Sequence, residues 1–106
     1  MSPIATSNGA TLDWSTFHNT INGKPSLTKQ TRHGINPATR EPNPEVPVST
    51  PADVDAAVTA ARAAFKTWSK VPLEERKKLV NDFADLIMVH KDEFAKMLVK
   101  EQGKPV

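Results

Sequence analysis

The stretch STPADVDAAVTAARAAFKTW, residues 49–68, predicts a helix with a well-defined start. Thr50 is a good N-cap residue, Pro51 suits the first helical position, and Asp53 stands where an acidic side chain completes a capping box. Apolar residues then recur at steps of three and four, as on one face of a helix: Val54, Ala57, Val58, Ala61, Phe65 and Trp68. The stripe they form needs a packing partner, which the helix does not supply itself.

Two more helices are predicted after this one. Pro72 opens the second, with Val71 as its N-cap residue, and its apolar face comprises Leu73, Leu79, Val80, Phe83, Leu86 and Ile87. Asp92 is predicted to cap a third helix or a kinked continuation of the second, and Gly103 ends it. We therefore expect helices at about 50–69, 72–90 and 92–102, within a helical segment that covers residues 50–106.

An extended arm precedes the helices at residues 14–49. Five prolines fall between Pro37 and Pro51, and proline removes the N–H group that an interior strand needs. We expect only short strands here, a hairpin within about 17–27 whose turn is Asn22-Gly23 and a strand at 45–48. Residues 1–13 are small and polar, and a flexible tail is predicted for them.

The apolar residues are unevenly divided between these segments. Val, Ile, Leu, Met, Phe and Trp together number ten in residues 1–50 and eighteen in residues 51–106. Ordering one residue costs roughly 1.5 kcal/mol of conformational entropy, so the first half cannot build a core alone. The pattern indicates a mainly α chain with a β arm, and a partial domain rather than a complete one.

Composition argues against several functions. The net charge is +2 and basic residues alternate with acidic ones, so neither a nucleic acid nor a membrane is an expected partner. The sequence shows no signal-peptide pattern, and a cytoplasmic location is expected. There is no cysteine and no Gly-x-Gly-x-x-Gly motif, and His18, His33 and His90 are isolated. Spacing alone therefore identifies no catalytic and no cofactor-binding residue.

An ordered series of short segments resembles the amino-terminal part of the aldehyde dehydrogenase superfamily. The resemblance covers residues 17–106 and runs through Ile21–Lys24, Asn36–Glu41, Glu45–Thr50, Asp53–Val58, Ala60–Phe65, Trp68, Glu74–Arg76, Phe83–Ile87 and Glu101–Pro105. At position 40 this chain has arginine in a turn where the family commonly has glycine. At positions 42 and 44 it has proline where the family usually has strand-forming residues. Each segment alone is weak evidence, but the order and spacing of the whole series are specific to the family.

The resemblance implies an α/β parent fold in which these helices pack on a parallel sheet of the nucleotide-binding domain. It implies NAD- or NADP-dependent oxidation of an aldehyde to a carboxylic acid, by a cysteine nucleophile and a glutamate base. Because this chain has no cysteine, we expect it to be inactive alone. The resemblance also implies that the cofactor-binding loops belong to other segments of the family fold, so we expect this chain to bind no cofactor alone. The resemblance also suggests the Ile35 carbonyl and the Glu101 side chain as ligands of a monovalent cation.

Two hypotheses follow. In the first, the chain is an amino-terminal fragment of an aldehyde dehydrogenase, and the remainder of that fold covers its helix faces. In the second, it is a truncated dehydrogenase retained as a stand-alone helical interaction module, which docks on a full-length relative or self-associates through those faces. A non-redox catalyst or binder, with His18, His33, His90 or Glu101 moving protons, is a variant of the second hypothesis.

Overall fold

The computed structural model describes residues 11–105, so most of the predicted tail lies outside the described residues. Its helices are α1 (Pro51–Trp68), α2 (Leu73–Val89) and α3 (Lys91–Gln102). Its strands are β1 (Asn19–Ile21), β2 (Lys24–Ser26), β3 (Thr31–Arg32) and β4 (Val46–Pro47). Three helices and small strands confirm the mainly α chain with an extended β arm that the sequence predicts.

The predicted hairpin is confirmed. β1 and β2 pair antiparallel, with Asn19 opposite Ser26 and Ile21 opposite Lys24. Asn22 and Gly23 connect them with φ values of 53° and 72°. A two-residue hairpin turn with positive φ at both positions matches the right-handed twist of the strands, and Asn-Gly is the sequence that adopts it most readily.

The rest of the arm folds back on itself. β3 pairs antiparallel with β4, which places Arg32 opposite Val46 and Thr31 opposite Pro47. An isolated bridge then joins Ile35 to Pro42. Each sheet has two strands, so every strand is an edge strand and proline is tolerated there.

The predicted start of α1 is confirmed. The Asp53 backbone N–H donates to Thr50 Oγ1 at 3.2 Å, and the Thr50 backbone N–H donates to Asp53 Oδ2 at 2.7 Å. This reciprocal pair is a capping box. The hydrogen bonds from the Thr50 backbone and hydroxyl hold the pKa of Asp53 below its ordinary value, because they favour the ionised carboxylate.

The predicted starts of the other two helices are wrong by one or two residues. The N-cap of α2 is Pro72 rather than Val71, because Pro72 has extended dihedral angles (φ −54°, ψ 144°) and lies outside the helix. The N-cap of α3 is His90, and Asp92 lies within its first turn. The reason is that the chain passes directly from α2 to α3: the His90 N–H still donates to Leu86 and Ile87 carbonyls.

No apolar core forms among residues 11–105, where no side chain is fully buried. Several large apolar residues of α1 and α2 are especially open, among them Phe65 at 65% exposed, Leu73 at 67% and Phe83 at 62%. The radius of gyration is 16.9 Å, against about 13 Å for a compact domain of this length. The exposed helix faces predicted from the sequence are thus present in the structure.

Part of the α1 stripe faces the hairpin. A groove between them is lined by Thr20 and Ile21 on one side and by the small side chains of α1 on the other, namely Ala57, Ala60, Ala61 and Ala64. The alanines allow the strand backbone to come near, and Phe65 is not among the residues that line the groove. Within residues 11–105, no helix combines the length and apolar character needed to span a bilayer.

Candidate functional site at the contact between the arm and α3

The carboxyl end of α3 is fastened to the arm. Gly103 ends the helix in the left-handed conformation (φ 70°), and its N–H donates to the Val99 carbonyl at 2.8 Å. The Lys100 carbonyl is one of the last four of the helix, which have no partner within it. It accepts a hydrogen bond from Asn43 Nδ2 at 3.0 Å. A side chain of the arm therefore caps this helix end from 57 residues away.

A tight turn of the arm lies against the same helix end. Asn36 organises this turn: its side-chain Oδ1 accepts from the Ala38 N–H at 3.0 Å, and its carbonyl accepts from the Arg40 N–H at 2.8 Å. Arg40 has a φ of 62°, the left-handed region that favours glycine. The Pro37 ring packs so closely on Gly103 that a Cβ there would come within 2.6 Å of Pro37 Cγ.

Beside this contact is an open cleft of about 420 Å³. Its lining comes from the arm and from α3: Phe17, Arg32, His33, Gly34, Asn43, Pro44, Val46, Met97 and Glu101. Glu101 adds a carboxylate to a helix carboxyl end, which already carries roughly half a negative charge. Arg32 supplies a guanidinium to the same cleft. The arrangement favours positively charged groups near Glu101 and can hold an ion pair across the cleft.

The two residues suggested as cation ligands are placed differently. Glu101 lines the cleft, whereas Ile35 is not among the lining residues and is 52% exposed. The Asn43 N–H donates to the Gly34 carbonyl, and the Asn36 N–H donates to the Glu41 carbonyl, both at 2.9 Å. Ile35 is therefore in a non-hydrogen-bonded position of the bridge, and its own carbonyl points away from the strand of Pro42.

Carboxylate and carbonyl oxygens are suitable cation ligands, but few of them converge at this cleft. In the part of the chain that the structure describes, no three His, Cys, Asp or Glu side chains come together as metal ligands would. The donors in hand are the Glu101 carboxylate and backbone carbonyls near the end of α3. A cation held here would need further oxygen ligands from other chain segments.

The three histidines do not form a joint site. Nδ1 of His18 lies 3.0 Å from the Asn19 carbonyl oxygen, and Nδ1 of His33 lies 3.0 Å from the Gly34 carbonyl oxygen. His90 pairs with Glu93 at the start of α3, at 2.9 Å. Of the three, His33 lines the cleft together with Glu101. A shared acid–base pair among the histidines is therefore absent from the described residues.

The described helices do not suit the pyrophosphate of a dinucleotide. Helix amino ends bind phosphate through free N–H groups and a positive dipole end. Here each first turn already carries carboxylates: Asp53 in α1, Glu74 and Glu75 in α2, and Asp92 and Glu93 in α3. These negative charges repel phosphate, so no step of a nicotinamide-dependent reaction can be assigned to these helix ends.

Sequence comparison gives the family. The profile of the aldehyde dehydrogenase family matches residues 25–106. The chain belongs to the aldehyde dehydrogenase family. This confirms the resemblance read from the ordered segments.

Curated relatives agree with that assignment. The chain is 40% identical over 95 residues to aldehyde dehydrogenase LUC3 of a Fusarium species, which covers 90% of this chain and 21% of that protein. It is 43% identical over 88 residues to malonate-semialdehyde dehydrogenase of Bacillus subtilis, which covers 81% of this chain and 18% of that protein. It therefore spans about a fifth of the length of the curated relatives it matches.

Sequence reasoning missed the residues that hold the site together. The sequence places Asn43 and Pro37 only in the proline-rich arm, yet Asn43 caps α3 and Pro37 packs on Gly103. Both contacts join positions that are far apart in the chain. The only local signal was the glycine at 103, which a helix stop explains equally well.

Proposed function

We propose that this chain serves as the amino-terminal part of the nucleotide-binding domain of an NAD- or NADP-dependent aldehyde dehydrogenase. The reaction of the complete enzyme is the oxidation of an aldehyde to a carboxylic acid. The chain's own contribution is structural: it supplies the arm and the first three helices. It contains no cysteine, so the thiol nucleophile of the reaction comes from elsewhere in the enzyme.

The observation that carries this proposal is the exposed apolar surface of the helices. Phe65 of α1 and Leu73, Val80 and Phe83 of α2 are each more than 60% exposed, although each is a residue type usually found in cores. Burying one such side chain contributes about 1.5–3 kcal/mol. In a member of this family, exposed apolar helix faces are what we expect of helices that a sheet covers in the complete enzyme.

The bound cofactor, the bound cation and the cellular location are proposed for the complete enzyme. NAD or NADP would bind to segments outside this chain, since the helix amino ends present here repel phosphate. When bound, the nicotinamide accepts the hydride of the aldehyde. The role of this chain would be to hold Glu101 and the arm carbonyls, including that of Ile35, where a monovalent cation can reach them. We place the complete enzyme in the cytoplasm.

The test is an assay of nicotinamide reduction with a panel of aldehydes, in which malonate semialdehyde is included because relatives are named for it. The chain alone is compared with the complete enzyme at equal molar concentration. We expect reduction by the complete enzyme and none above background by the chain alone. Turnover of any aldehyde by the isolated chain would refute the proposal, since it has no thiol to attack the carbonyl.

The exposed stripe of α1 also supports a second function, that of an interaction module. Two copies could cover each other's Phe65 and Trp68, which are 65% and 38% exposed. Sedimentation of the purified chain separates the two functions. A well-folded oligomer that unfolds cooperatively supports the module, whereas a chain that unfolds without cooperativity or aggregates supports a part of a larger fold.

A further inference from the structure

The segment before the hairpin is attached to α3 by one side chain. Trp14 Nε1 donates a hydrogen bond to Glu93 Oε2 at 2.6 Å, across 79 positions of the sequence. The Trp14 ring also meets the Phe94 ring edge to face, with centroids 4.9 Å apart and planes at 89°. Both contacts are of kinds that stabilise a docked aromatic residue.

The acceptor carboxylate is itself held in place. His90 Nδ1 lies 2.9 Å from Glu93 Oε1, so the two oxygens of Glu93 serve two different partners. The His90 side chain is only 12% exposed, whereas that of Glu93 is 39% exposed. The hydrogen bonds from His90 and Trp14 lower the pKa of Glu93, and Lys96 acts in the same direction. Both hydrogen bonds favour the ionised carboxylate, and its Oε2 accepts from the Trp14 N–H.

The segment itself is ordered locally. Asp13 Oδ1 accepts hydrogen bonds from the Ser15 N–H at 2.8 Å, the Ser15 hydroxyl at 2.7 Å and the Thr16 N–H at 3.2 Å. Within the described chain, no backbone hydrogen bond links residues 11–17 to another element. The segment can therefore move as a unit once the Trp14 contacts break.

The segment leads towards the cleft described above. Trp14 sits at the first turn of α3, and Phe17 lines the cleft together with Met97 and Glu101 near the other end of that helix. The segment thus follows α3 from its amino end towards its carboxyl end. Releasing it would uncover Phe94 and widen access to Glu101.

We propose that residues 11–17 form a strap over α3, closed by the bond from Trp14 to Glu93 and able to open while the helices remain folded. The strap is a conformational device that controls access to the arm–α3 cleft. It does not depend on the aldehyde oxidation proposed above, because the contacts that close it lie within this chain.

Native-state proteolysis of the complete protein tests the strap. Chymotrypsin cuts after aromatic residues, and under native conditions slow cutting reports how often a site opens. Cleavage after Trp14 is quantified by mass spectrometry alongside cleavage after Phe65 and Phe83, which require helix opening. The variant is Glu93→Gln, which leaves Trp14 only a neutral amide acceptor and so weakens the hydrogen bond. The matched control is Asp92→Asn, which removes a carboxylate from the same first turn without touching Trp14.

We expect cleavage after Trp14 to rise several-fold in Glu93→Gln, with unchanged cleavage at the two helix sites and no change anywhere in Asp92→Asn. Trp14→Phe keeps an aromatic ring but loses the N–H donor, and its cleavage at position 14 should rise as well. The proposal is overturned if Glu93→Gln behaves like Asp92→Asn. It is equally overturned if position 14 and the helix sites are cut at one common rate in the unsubstituted protein.

Discussion

The contact between Pro37 and Gly103 predicts an unequal response of two glycines to the same substitution. Gly103 and Gly23 have nearly the same backbone conformation, with φ values of 70° and 72°. An alanine in that region costs about 1–2 kcal/mol, offset by about 0.4–1 kcal/mol because alanine restricts the unfolded chain. Gly23→Ala should therefore lower the free energy of unfolding by about 1 kcal/mol, since no atom lies within 4 Å of its added Cβ.

Gly103→Ala should cost more. Its added Cβ would lie 2.6 Å from Pro37 Cγ and 3.3 Å from Pro37 Cβ, so the turn of the arm has to move. Overpacking of this kind costs about 1–3 kcal/mol, which gives a total of about 2–4 kcal/mol for Gly103→Ala. The difference in unfolding free energy between the two variants measures the effect of the contact between the arm and α3.

The assay is equilibrium unfolding of the complete enzyme in urea, followed by far-ultraviolet circular dichroism, because the chain alone is not expected to unfold cooperatively. Pro37→Ala is combined with Gly103→Ala in a double-mutant cycle, and the loss caused by Gly103→Ala should shrink when the ring is absent. The reasoning fails if Gly103→Ala costs no more than Gly23→Ala. It also fails if the two effects in the cycle simply add.

Three further substitutions probe the local structure. Thr50→Ala should lower the free energy of unfolding by about 1 kcal/mol in urea unfolding through loss of the N-cap, whereas Thr67→Ala in the same helix should not. Because the pKa of Asp53 is lowered, its contribution to stability is present above the ordinary carboxyl range and is lost as the pH falls through the lowered pKa. Urea unfolding across acid pH should therefore show that the stability lost in Asp53→Asn becomes smaller as the pH falls. A loss of stability that does not depend on pH would contradict this. Arg40→Gly should raise the unfolding free energy by about 0.5–1 kcal/mol, because glycine adopts the positive φ at position 40 without strain. Arg62→Gly within α1 should lower it. A lower unfolding free energy in Arg40→Gly would show that the turn is unstrained.

Local signals predicted the local structure. The capping box at Thr50 and Asp53, the Asn22-Gly23 turn and the stop at Gly103 each depend on residues a few positions apart, so their geometry follows from the sequence. The predicted start of α2 was wrong because proline was expected at the first helical position, and that of α3 because the capping rule expects a polar N-cap side chain such as Asp92. The actual N-cap residues, Pro72 and His90, form no side-chain cap bond.

Long-range contacts could not be predicted in the same way. Nothing in the sequence near Trp14 indicates Glu93 as its partner, and nothing near Asn43 indicates the Lys100 carbonyl. The site prediction came from resemblance alone. Glu101 lines a cleft with residues of the arm, but the bridge geometry that directs the Ile35 carbonyl follows from a strand pairing that the sequence did not reveal.

The central claim is that the open faces of α1 and α2 are covered in the complete enzyme. Hydroxyl-radical footprinting of Phe65, Leu73 and Phe83 measures this directly, in the isolated chain and in the complete enzyme. The account predicts strong labelling of all three in the isolated chain and strong protection in the enzyme. Equal labelling in both would contradict it, because faces that stay open in the enzyme have no sheet lying over them.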